Sequence, residues 1–166
     1  PHVLPEAGSR DLLASLIHVE AKAGLEPDPV RRLSVLVTMD PTRARSFADR
    51  LRLSKAETQR LEFLLDPSAR PSPDLPETEN RAMLYRLGAE KFVDSVLLGW
   101  AIAGHVNDEP WQALLKLPGR SPVPDFPLNG DDVLALGIGS GQLVGALLAD
   151  VERWWIDRDF KPDRAA

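Results

Sequence analysis

The sequence predicts an all-α fold, a multi-helix array of two packed helical subdomains. Strict apolar/polar alternation persists nowhere and β-branched runs are short, so strands find no support. Apolar residues instead recur at helical spacing in segments of ordinary helix length. Caps, glycines and prolines separate those segments at positions where helices start and stop.

In chain order, Ser9 can cap a helix with apolar positions Leu12, Leu13, Leu16 and Ile17, and Gly24 stops it. Asp28-Pro29 and Asp40-Pro41 each set a capping carboxylate before a first-turn proline. The first opens a helix expected to bury Val30, Leu33 and Val37, and the second one expected to bury Ala44, Phe47, Ala48 and Leu51. Ser54 and Glu57 form a capping box for a helix ending near Leu65. Residues 66–78 hold Pro67, Pro71, Pro73 and Pro76 and read as a linker. Asn80–Leu87 reads as helix, followed by a stripe of Ala89, Phe92, Val93, Val96, Leu97 and Trp100. Asp108, Glu109 and Pro110 open a helix carrying Trp111, Leu114 and Leu115. After a second Pro-rich stretch at 118–130 comes a short helix, then Gly137-x-Gly139-x-Gly141. A final helix from about Gly141 to Asp157 sets Val144, Leu147, Leu148, Val151 and Trp155 on one face. The prolines at 66–78 place the subdomain boundary, giving 1–66 and 67–166.

A chain of 166 residues buries enough surface to fold without staples. It has no cysteine, which excludes disulfides and thiolate-bound zinc and suits a reducing, cytoplasmic setting. It begins without methionine and reads as a piece of a longer protein. No apolar run approaches a membrane span, so no membrane partner is expected. The net charge is −5, yet residues 31–60 carry eight basic groups against three acidic ones, a local excess of five. Screening makes a surface field local, so that segment matters more than the total.

Catalytic patterns are missing. His2, His18 and His105 are scattered, and Glu20 stands two residues from His18, a spacing that does not share a helix face. Asp131-Asp132 reads as a helix start after Gly130. No nucleophile elbow, phosphate-loop lysine or His-Glu-x-x-His occurs, so no catalytic or metal-binding residue is assigned. Trp100, Trp111 and Trp155 hold core-periodic positions, whereas Trp154 points elsewhere. The nucleic-acid-binding candidates are Arg43, Arg45, Arg50, Arg52 and Lys55, which fit phosphate contact. Gly137, Gly139 and Gly141 join them, because a glycine turn between helices can offer amides to a backbone phosphate. The same turn is equally readable as packing, with Gly137 a left-handed helix terminator and Gly145 a close helix contact. Arg153, Arg158, Lys161 and Arg164 are further candidates near the tail.

Three stretches carry a family resemblance. They are Pro29-Val30-Arg31-Arg32-Leu33 after Glu20-Ala21 and Gly24-Leu25; Leu51-Arg52-Leu53-Ser54-Lys55-Ala56-Glu57; and Pro127-Leu128-Asn129-Gly130-Asp131-Asp132 through Leu136-Gly137-Ile138, with Gly141, Gly145 and Trp154-Trp155-Ile156. Their order resembles the C-terminal neck, body and tail of bacterial tRNA nucleotidyltransferases (CCA-adding enzymes) and poly(A) polymerases. Ser140 and Gln142 depart from that pattern, standing where the family usually has prolines. The resemblance implies a region that grips tRNA or another RNA backbone and positions its 3′ end. It further implies an N-terminal catalytic head of the same parent chain that holds Mg and nucleoside triphosphates, with no cofactor in these residues. The rival expectation is a non-enzymatic helical adaptor or a helix-hairpin-helix-like nucleic-acid-binding module.

Overall fold

A computed structural model describes residues 10–37, 41–66, 70–104, 107–122, 124–137 and 141–163. The described chain is all-α, with no strand among these residues. Its elements are α1 (Arg10–Ala23), α2 (Pro29–Leu36), α3 (Pro41–Arg50), α4 (Lys55–Leu65), α5 (Glu77–Ala103), α6 (Glu109–Leu115), α7 (Leu117–Arg120), α8 (Gly130–Ala135) and α9 (Gln142–Asp157). No helix among the described residues is long and apolar enough to cross a membrane.

Local chemistry accounts for several helix ends. Asp28 caps α2 by accepting from Arg31 N–H, and Pro29 occupies the first turn, where a missing N–H costs nothing. Ser54 and Glu57 form the expected capping box on α4. Asn129 and Asp132 form another on α8, the latter giving the acidic pair its helix-start role. Asp108 behaves differently: it makes no cap bond on α6 and instead accepts from Trp100 Nε1 at 2.9 Å and from Lys22. The Ser9 and Asp40 caps fall outside the described residues.

Two apolar cores share α5. The larger joins Leu16 and Val19 of α1, Val30 and Val35 of α2, Phe47 of α3, Leu61 and Leu64 of α4, and Leu97 and Trp100 of α5. It therefore draws on both sides of the 66/67 boundary. The smaller joins Leu84, Phe92 and Val96 of α5 to Leu114 and Leu117 of α6 and α7. Gly88, at φ +75° and ψ +164°, breaks α5 between its two apolar runs, in a conformation that favours glycine. Trp111 lies across the backbone of α5, and a Cβ on Gly99 would stand 3.0 Å from its ring.

A strained turn ends α3. Leu53 N–H donates to Ala48 C=O and Arg52 N–H to Asp49 C=O, the paired bonds of a Schellman cap. Its left-handed position is held by Arg52, at φ +56°, where glycine is usual. Arg52→Gly is expected to raise stability by ~1 kcal/mol, read as a shift in the urea midpoint at unchanged m-value.

Four apolar expectations fail here, the first being Ile17 of α1, which is 41% exposed. Leu51 lies beyond the end of α3 and is 41% exposed. Ala89, just past the Gly88 break, is exposed. Leu147 turns outward from α9, whose inner face is Val144, Leu148, Val151 and Trp155. The packing reading of Gly145 also fails, because a Cβ there would meet nothing within 4 Å among the described residues.

The tail docks on the first half of α5 through aromatic rings. Trp155 is met by Tyr85, Phe126 and Phe160 at centroid distances of 5.7, 5.3 and 5.0 Å. Its Nε1 donates to Pro162 C=O at 2.7 Å. Arg81 lies 5.5 Å from the Phe160 ring and pairs with Asp159 at 2.8 Å. Tyr85 donates to Glu152 of α9. Burial, then that hydrogen bond and the charge of Glu152, push the Tyr85 phenol up to about 12. The folded state thus holds a proton that the unfolded chain releases near pH 10. This contribution is complete below pH 10 and is lost as pH rises towards about 12. Tyr85→Phe should remove that part of the alkaline transition, followed by tryptophan fluorescence.

Candidate nucleic-acid interface

Helices α3 and α4 form a hairpin whose inner side is fixed by burial. Ala44, Phe47 and Ala48 are at most 2% exposed, and Leu61 of α4 is fully buried. The remaining face of α3 must then carry its charges outward. Arg43, Arg45, Arg50, Arg52 and Lys55 are all exposed. The structure does not gather them into one patch. Arg45 and Lys55 line an open cleft of about 400 Å³ between the two helices, with Asp49, Leu53, Thr58 and Gln59. Helical spacing puts Arg43 and Arg50 on the other flank of α3, where Arg50 lies 5.8 Å from the Phe47 ring. Arg52 sits in the turn past the end of α3, off the face that carries Arg45. Arg45 reaches Glu62 at 3.2 Å while remaining 74% exposed, a pair that solvent weakens.

The local excess of five basic groups is only partly a surface property. Arg31 is buried and donates to Glu20 and Asp94, both at 2.9 Å. Arg32 donates to Glu20 at 2.8 Å. Arg60 grips Asp94 with Nε at 2.8 Å and Nη2 at 3.0 Å, and donates to Asp28 at 2.8 Å. Three arginines and three carboxylates cancel, tying α1, α2, α4 and α5 together. Burial alone would raise the Asp28 carboxyl, but the Arg31 amide and the Arg60 guanidinium outweigh it and hold it below the usual range. Asp94 and Asp28 in turn hold Arg60 more firmly protonated than usual, against its own desolvation. One sequence signal points to this network: Arg31 lies among Val30, Ser34 and Val35 on the buried face of α2.

The glycine turn resolves in part. Gly137 ends α8 at φ +81°, its N–H donating to Leu134 C=O, which is the helix-terminator reading. Gly141 precedes α9 at φ +140°, a backbone geometry that favours glycine. Gly139 lies outside the described residues, as does Arg164. The other tail cations are engaged: Arg153 with Asp150, Lys161 with Asp159, and Arg158 over the half-exposed Trp154 ring at 5.4 Å. Among the described residues no group of three or more histidines, cysteines and carboxylates could hold a metal. Thr58 and Gln59 join the cleft by folding alone, since nothing in their sequence spacing to Arg45 marks them.

A scan against protein-family models finds no match to this chain, and a search of curated proteins finds none either.

Proposed function

We propose that this chain is an RNA-binding region that holds the backbone of tRNA, or of a similarly folded RNA, and positions its 3′ end. In this reading it belongs to a cytoplasmic protein resembling the tRNA nucleotidyltransferases and poly(A) polymerases. Nucleotide addition, with its metal and triphosphates, would be the work of an α/β head. One observation carries the reading. The cations of residues 31–60 divide into a neutralised internal set and a solvent-exposed set spread over the α3–α4 hairpin. Exposed arginines and lysines on a rigid hairpin suit phosphates, which set register without reading sequence. The segment order described above supplies the RNA partner. The rival, a helix-hairpin-helix-like module, would use the α8–α9 turn and favour duplex DNA.

Titration of the folded chain with labelled tRNA tests this. Binding should be detectable at ~20 mM salt and fall steeply as salt rises. No binding at ~20 mM salt overturns the proposal, and a preference for duplex DNA transfers it to the rival.

A further inference from the structure

The α3–α4 cleft has mixed chemistry. Two cations, Arg45 and Lys55, stand on its two helices. A carboxylate, Asp49, and a carboxamide, Gln59, line it with them, and Leu53 contributes an apolar surface. Thr58 is occupied locally, its hydroxyl donating to Ser54 C=O. Asp49 and Gln59 are exposed, and their side chains make no hydrogen bond or ion pair among the described residues. A seat for phosphate alone has no use for Asp49, which repels an anion. A ribose-phosphate unit does use it. Carboxylates accept from ribose hydroxyls, and a carboxamide can donate to and accept from the same group. The 2′-hydroxyl, both donor and acceptor, is what separates RNA from DNA at such a site. Leu53 offers the carbon face of the sugar an apolar neighbour, and the cleft volume lies in the range of small-ligand sites.

We infer that this cleft seats one ribose-phosphate unit of the RNA backbone, with Arg45 and Lys55 on the phosphate and Asp49 and Gln59 on the 2′-hydroxyl, so that it selects RNA over DNA. The inference rests on the RNA-binding reading above and adds a subsite to it.

The test uses tRNA, the same RNA carrying 2′-deoxy substitutions along the backbone, and fluorescence anisotropy at low salt. The wild-type chain should bind the RNA about tenfold more tightly than the deoxy form, as one or two hydrogen bonds allow. Asp49→Ala and Gln59→Leu should bring that ratio towards one while the salt slope holds. Arg45→Ala should weaken both ligands alike and flatten the slope by about one. All three residues are exposed, and unchanged circular dichroism and urea midpoints would show that the variants fold. Equal binding of both ligands by the wild-type chain overturns the ribose seat and leaves RNA binding intact. So does an unchanged ratio in both Asp49→Ala and Gln59→Leu. Failure to bind either ligand at ~20 mM salt overturns both.

Discussion

Asp94→Ala should destabilise the fold by about 3–5 kcal/mol, the usual cost of removing one member of a buried ion cluster. Asp94 is 2% exposed and neutralises two guanidinium groups, those of Arg31 and Arg60. Arg31 is itself buried and would keep only Glu20. Arg60 would keep Asp28 on the far side of its fork. The loss therefore exceeds one hydrogen bond, because a cation remains in a site that water reaches poorly. The cluster also connects four helices, so the loosening should spread across the larger core rather than fray one end. Chemical denaturation should show a lower midpoint, and the melting temperature should drop by roughly 6–20 °C for a domain of this size. Replacing the whole cluster by well-packed apolar residues should cost far less, because desolvation of the charges disappears with them.

Trp155→Ala should cost about 3–5 kcal/mol, the range for deleting a large buried aromatic side chain. Its ring is 3% exposed and is held by three aromatic neighbours and the bond to Pro162 C=O. The turn after it is strained: Asp159 and Phe160 both take positive φ, at 56° and 61°. Two consecutive non-glycine residues in that region persist only while packing holds them. Without Trp155 the segment from Arg158 to Asp163 should release from α5, seen as faster hydrogen exchange and proteolysis there. The adjacent Trp154→Ala, on a half-exposed ring, should change stability by no more than about 0.5 kcal/mol.

Helix existence was legible because it depends on local chemistry. The caps at Asp28 and Ser54, the stop at Gly24 and the break at Gly88 each act within a few residues. What failed depends on distant partners. Leu51 reads as a core residue by spacing, but α3 ends before it. Leu147 shares helical spacing with the inner face of α9 yet turns outward. The same limit governed charge. Arg31 and Arg60 look like surface cations until Asp94, far along the chain, is brought between them. The cleft followed a similar rule: Arg45 and Lys55 were visible as charges, while Asp49 and Gln59 became relevant only when two helices met.

The central claim is that the exposed cations of the α3–α4 hairpin hold RNA phosphates. Its most direct test is the slope of log K against log salt for tRNA binding, measured on the wild-type chain and on the chain with Arg43, Arg45, Arg50, Arg52 and Lys55 all changed to alanine. Each phosphate contact contributes about −0.9 to the slope on a duplex, so losing several should flatten it by roughly 3–5 and weaken binding across RNA sequences. A wild-type slope that survives in the folded five-site variant would show that the phosphates lie elsewhere and would contradict the account.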